Sequence, residues 1–263
     1  MGNYFQKKEE VQESDTVPAN LVLIGAVMSG KRTQAYLLQD AVKDMCHLKV
    51  GELKMKEVMS KTSIGKEIEK QVTETGDVSD DLVLGLIEKK MNSYECRGGF
   101  IMTDFPLKVS SAEGLDQLLE KNKQKLHKVI NLKVNFYSLL ARLDGCLDHP
   151  ASGRRYHLDF LPPNKTNKDN VTGEKLLPCL ADTEGELRIR NGVYFEQTKP
   201  VLEYYSAQGK VNSINGDKKI GEVHQAILSS IVRYKTNKTA KEFLDTLEIL
   251  AKDVREKQNT EKQ

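Results

Sequence analysis

Gly25-Ala-Val-Met-Ser-Gly30-Lys31 sets two glycines and a lysine at the spacing of a loop that wraps an anion in backbone N–H groups, with an ammonium adding positive charge. The chemistry served by such a loop is the holding of a nucleotide's phosphates. Arg32 follows the lysine and Thr33 comes next, so the hydroxyl that usually adjoins the lysine is displaced by one. A loop of this kind needs a buried strand before it and a helix after it. Leu21–Ala26 (LVLIGA) is a short apolar run of the sort that forms a strand buried on both faces. From Lys31 to Met45 the spacing predicts a helix with Leu37, Leu38, Ala41, Val42 and Met45 on one face.

The same alternation continues along the chain. CHLK (46–49), FIMT (100–103), VINLKV (129–134) and VNSI (211–214) read as further strands. Helical patterns cover 52–60, 64–73, 80–91, a segment from Ser111, a long stretch from Glu184, and 223–232. Strands alternating with helices predict an α/β fold, a P-loop NTPase-type five-stranded parallel sheet flanked by helices. Residues 145–183 break the rhythm with prolines, glycines and polar residues, far beyond a connection of about 4–6 residues. They are expected to form an inserted lid within a domain spanning 20–235. Residues 1–19 read as a disordered tail, and 236–263 as an amphipathic helical extension. In that extension Phe243, Leu247, Leu250 and Val254 draw an apolar stripe, which packs on the parent domain or docks a partner protein.

Forty basic and 38 acidic side chains leave a net +2, which excludes the broad positive field that gathers nucleic acid or anionic membrane. No apolar run approaches the roughly 20 residues of a membrane span, and the first 20 residues fit neither a signal nor a transit peptide. A cytoplasmic or cytoskeletal address is expected, the cilium included. Gly2 precedes Lys7 and Lys8, but Gln6 stands where N-myristoylation prefers Ser or Thr, so a plain tail is expected. Cys46, Cys96, Cys146 and Cys179 show no CxxC spacing, and in a reducing compartment they read as free thiols.

Gly25–Gln34 (GAVMSGKRTQ) resembles the GxPGxGKGTQ loop of adenylate kinases. SDDLVLGLIEKKM, GGFIMTDFP with AEGLDQLL, and HPASGRRYHLDFLPPN with KDNVTGEKL are similar to stretches of the long-lid members, in order from Leu21 to Val232. The resemblance implies a helical arm (50–80) over a monophosphate acceptor, a mobile lid over ATP, and transfer of the terminal phosphoryl of MgATP to AMP. It implies ATP binding by Gly25, Gly30, Lys31, Arg32, Thr33 and Arg142, the last stacking on adenine. Residual catalytic roles fall to Lys31 and to Arg190, which bridges both phosphate chains.

Position by position, much of the family's charge is missing. Thr103 replaces the acid that orients magnesium's waters, and Leu107 and Met55 replace the two acceptor arginines. Ser111 replaces the glutamine that reads the acceptor's adenine, Met28 a loop glycine, and Cys146 and Cys179 two lid arginines. Asp104 lies one residue from the lost acid, where strand alternation turns it to the opposite side. His149, Ser152, Asp169 and Thr172 hold the places of a zinc staple, but as a hydrogen-bonded set without zinc. The resemblance therefore implies an inactive structural or nucleotide-binding subunit of a larger assembly, such as a ciliary axoneme, with a protein partner at the 240–255 helix. ATP is its candidate ligand and magnesium enters only with ATP. The alternative is an active nucleoside monophosphate kinase in which Arg32, Lys49, Lys54 and Arg154 or Arg155 restore the charge.

Overall fold

Strand β1 (Ala19–Gly25) is buried along its whole length because its alternate side chains enter two different cores. Val22 and Ile24 join Leu48, Phe100, Met102 and Leu115, while Leu21 and Leu23 join Leu38, Ile101, Ile130 and Ile227. The computed structural model describes residues 19–231 apart from 43, 150, 152–153 and 180–182.

Around β1 the strands β2 (Cys46–Lys49), β3 (Gly99–Thr103), β4 (Lys128–Lys133) and β8 (Val211–Asn215) pair in the order β2-β3-β1-β4-β8, every pair parallel. Helices α1 (Lys31–Ala41) and α8 (Ile220–Ser230) cover one face of this sheet. The other face carries α4 (Asp80–Met91), α5 (Val109–Lys121) and α7 (Glu184–Ala207). The sheet is thus the expected α/β, P-loop type. With β3 on one side of β1 and β4 on the other, a crevice opens at the carboxyl end of β1, the place where such sheets bind ligands.

Two helices, α2 (Val50–Met59) and α3 (Ser63–Thr75), leave the sheet as an arm. Thr62 caps α3 by accepting the Gly65 N–H at 3.0 Å. Gly65 lets the two helices meet, since a Cβ there would lie 2.1 Å from the Glu57 carbonyl oxygen. After α6 (Phe136–Leu143) comes a separate antiparallel sheet, β5 (Cys146–His149), β6 (Arg154–His157) and β7 (Leu177–Pro178), ordered β6-β5-β7 over a core of Leu147, Tyr156 and Leu176.

Several expectations need correction. Helix α1 stops at Ala41 rather than Met45; Ala41 is exposed, and Val42 and Met45 are buried from beyond the helix end. Gln34 and Ala35 join Leu38 on the buried face instead. Helix α6 falls between the fourth strand and the lid, where no element was assigned, and Asn135 caps it by accepting the Ser138 N–H at 2.9 Å. The cysteines are not free thiols. Cys46 is disulfide-bonded to Cys96 and Cys146 to Cys179, with Cα separations of 4.7 and 5.5 Å. The first bond ties the start of β2 to the short 3-10 turn before β3, and the second closes the base of the lid sheet. Parallel pairing sets Cys46 beside Phe100 and so brings Cys96 near, a tertiary effect that sequence spacing does not carry. The tail at 1–18, with Gly2, and the helix expected at 240–255 lie outside the described residues.

Candidate nucleotide site

The loop after β1 owes its shape to two glycines. A side chain at Gly25 would strike Ser29 Oγ at 2.5 Å, and Gly30 caps α1 with φ +89°, a conformation open to glycine at little cost. Met28 also has positive φ, at 67°, which costs a non-glycine residue roughly 1–2 kcal/mol. Its side chain packs on the cluster of Ala26, Leu139 and Leu187, so α6 and α7 hold the methionine that takes a glycine's place.

Lys31 is folded back into the loop. Its ammonium donates to the carbonyls of Gly25 and Ala26, the latter at 3.0 Å, and lies 5.4 Å from the Tyr194 ring centroid. Burial pulls its pKa down to about 8; the Asp104 charge opposes the fall, and Arg32 and Arg190 add to it. Asp104 and Arg190 therefore both act on Lys31 from across the crevice. Helix α7 braces the loop from behind. The Gly25 N–H donates to the Tyr194 hydroxyl, and the Val27 N–H to Asn191 Oδ1 at 2.8 Å. Burial pushes the Tyr194 phenol well above its ordinary value, so it stays neutral. Arg142 spans the loop and the turn after β8, donating to the Met28 carbonyl at 3.3 Å and the Gly216 carbonyl at 2.5 Å. Arg32 and Thr33, both half-buried, form the first turn of α1.

Thr103 is fully buried, its hydroxyl 3.0 Å from His47 Nε2. Burial, with Lys49 and Arg32 nearby, pushes His47 down to about 3, so this pair is neutral where the family places an acid. Asp104 lies beyond the end of β3 with φ 65° and is exposed. Strand alternation therefore does not decide its direction, and its field reaches Lys31. As a fit for magnesium this is modest but sufficient, because that ion keeps most of its waters and rides on phosphates with one or two carboxylates. Asp104 is the residue that would hold those waters.

On the acceptor side Met55 is exposed and Leu107 half-buried. The Ser111 hydroxyl donates to Asp80 Oδ1 at 2.6 Å, Ser110 donates to the other oxygen at 2.8 Å, and Lys108 pairs with Asp77. Lys49 is held by the Tyr36 hydroxyl at 2.6 Å and Glu52 at 3.0 Å.

The lid centres on the Asp169 carboxylate, which is buried. Arg154 donates to both its oxygens at 2.8 and 2.7 Å, the Tyr156 hydroxyl to one at 2.8 Å, and the Thr172 N–H to the other at 2.7 Å. These donors, Arg154 foremost, hold the Asp169 carboxyl far below the ordinary carboxylate range. His149 meets Glu174 at 2.6 Å and the Thr172 hydroxyl at 3.4 Å. Three of the four staple residues, His149, Asp169 and Thr172, thus share one network, and Ser152 lies outside the described residues. Arg154, Tyr156 and Glu174 are members that zinc-site spacing could not reveal, though Arg154 and Tyr156 stand two apart on β6 and so point the same way. Among the described residues, the group with ligand atoms close enough for a metal is Cys146, Asp148 and Cys179. Its sulfurs are bonded to each other, and Arg155 holds Asp148 at 2.8 Å.

Asp169→Asn is expected to loosen the lid alone. Hydrogen exchange across 146–178 should quicken by at least about tenfold while the parallel sheet keeps its protection. The carboxyl's lowered pKa fixes the sign with pH: its contribution is complete above the unfolded value near 3.9 and is lost as pH falls below it. Unchanged lid exchange in the variant would refute this role.

A glycine-bounded loop at the carboxyl end of a central parallel strand, a half-buried lysine within it and a small antiparallel sheet inserted between α6 and α7 define a P-loop nucleotide kinase fold. A family model described as adenylate kinase matches residues 23–210. An adenylate kinase of Aspergillus niger is 39% identical over 209 residues, 79% of this chain and 81% of that protein. One of Neurospora crassa is 39% identical over 210 residues, covering 80% and 75%. The chain belongs to the adenylate kinase family.

Proposed function

We propose that this chain binds a nucleoside triphosphate, with its magnesium, on the Gly25–Lys31 loop and transfers phosphoryl groups far more slowly than a working kinase, serving as a nucleotide-binding subunit. The carrying observation is that three of the five cations which could replace the missing arginines are already engaged. Arg154 is bound to Asp169, Arg155 to Asp148, and Lys49 to Glu52. A transferring phosphoryl group spreads negative charge, and one arginine at that point is worth about 10³–10⁵ in rate. The neutral Thr103–His47 pair and Leu107 add nothing there. The relatives' name, adenylate kinase, supports ATP as the nucleotide. A protein partner at the apolar stripe of 240–255 belongs to the same proposal.

Among the described residues no helix is long and apolar enough to cross a membrane.

The test is ADP formation from millimolar ATP and AMP, followed by a coupled assay. The expected rate lies below about a thousandth of the 1–100 s⁻¹ common among kinases. Turnover inside that range would establish the active-kinase alternative, in which Arg32, Lys49, Lys54 and Arg154 or Arg155 supply the charge.

A further inference from the structure

We propose that Asn191 is a phosphate-binding residue, its amide oxygen bracing the loop and its amide nitrogen donating to the phosphates of the bound nucleotide. The inference rests on the nucleotide-binding reading above and assigns a new residue to it.

Asn191 is 2% exposed and lies on α7, three residues before Tyr194, so the two side chains leave the same helix face toward the loop. Its Oδ1 accepts the Val27 N–H at 2.8 Å. That bond fixes the amide's orientation, because the reversed side chain would set one donor against another. Nδ2 must then point away from Val27, and among the described residues it is buried with no acceptor. Buried donors are almost always paired, and an unpaired one costs free energy. Ser29, 3% exposed and inside the loop itself, also has a buried hydroxyl without a partner.

The loop 25–31 thus holds one unpaired hydroxyl and a folded-back ammonium, and the side chain that braces it at Val27 carries a second unpaired donor. Lys31 spends its charge on the Gly25 and Ala26 carbonyls and lies beside Tyr194, the neighbour of Asn191 on α7. An anion seated in the loop accepts from all three at once and draws Lys31 off those carbonyls. A residue needed only to hold the Val27 N–H would require an acceptor and no donor. Asparagine supplies both.

Asn191→Asp separates these roles. It keeps the oxygen that accepts from Val27 and puts a carboxylate oxygen where the donor was. Binding of ATP and of tripolyphosphate, which carries phosphates and no base, is measured by calorimetry on the full chain, beside the thermal midpoint. The expected result is both affinities reduced by at least about tenfold, as loss of a charge-assisted hydrogen bond requires, with a midpoint lowered by burial of the carboxylate. Should the aspartate variant not fold, Asn191→Ala is expected to lose about tenfold for both ligands. Equal affinity of variant and wild type overturns the inference, as does a loss seen for ATP but not for tripolyphosphate. If the wild type binds neither ligand, the nucleotide-binding reading itself fails and takes this inference with it.

Discussion

Reduction of both disulfides is expected to lower the midpoint of thermal unfolding by roughly 10–20 °C. The bonds close loops with sequence separations of 50 and 33 residues. In the chain-entropy description each such closure stabilises the folded state by about 4 kcal/mol through its effect on the unfolded chain. For a domain of this size one kcal/mol moves the midpoint about 2–4 °C, and measured disulfide contributions often fall short of the entropic value. Calorimetry with and without a phosphine reductant checks the total, and Cys96→Ser and Cys179→Ser divide it. Loss of Cys179 should free the lid sheet first, since that bond joins β5 to the residue after β7. Loss of Cys96 should loosen β2 against β3. Identical midpoints in oxidised and reduced protein, or four titratable thiols before reduction, would refute both bonds.

Lys31→Met is expected to weaken ATP binding about 100-fold, the upper end of what a charged hydrogen-bond donor contributes. The same change should make the empty protein more stable. An ordinary lysine titrates near 10.5 and this one at about 8, so folding at neutral pH buries a charge that the unfolded chain carries in water. A shift of that size corresponds to about 3 kcal/mol. Between the two values the unfolded chain holds more protons, so wild-type stability rises with pH from about 8 to 10.5. Nucleotide binding runs the other way. Phosphate beside the amine restores its proton, so affinity falls as pH climbs past 8, approaching tenfold per unit. Calorimetry at pH 9 in buffers of different ionisation enthalpy should show proton uptake on binding that is absent at pH 7 and absent from the methionine variant. No difference between pH 7 and pH 9 would count against the buried ammonium.

The parallel sheet was legible because each central strand is a short apolar run between punctuated helices, and the loop because its glycines and lysine stand at fixed spacing. Helix α6 was missed although Phe136, Leu139, Leu140 and Leu143 stand at the spacing of one helix face and pack in one cluster, because eight residues fall below the length over which a helical period is read. The cysteine pairs were hidden because base rates for a compartment say nothing about which residues a register brings together. For Asp104 the alternation argument runs one residue past the end of β3, into a turn with positive φ, where alternation does not decide direction. Asn191 carried no signal at all, since its partner Val27 is 164 residues away in sequence and only α7 packing on the loop joins them. The lid staple fell between these cases: spacing found three members, and the arginine and tyrosine that satisfy the central carboxylate came from an adjacent strand.

At the seam between α4 and α5, Asp80 takes two serine hydroxyls and Asp77 takes Lys108. A newcomer seeking polar contacts along that seam meets groups already matched to each other, and must break a set before making one. Those matched groups line a cavity of about 330 Å³, so a guest there exchanges polar bonds rather than gains them, and only its apolar contacts add to its affinity.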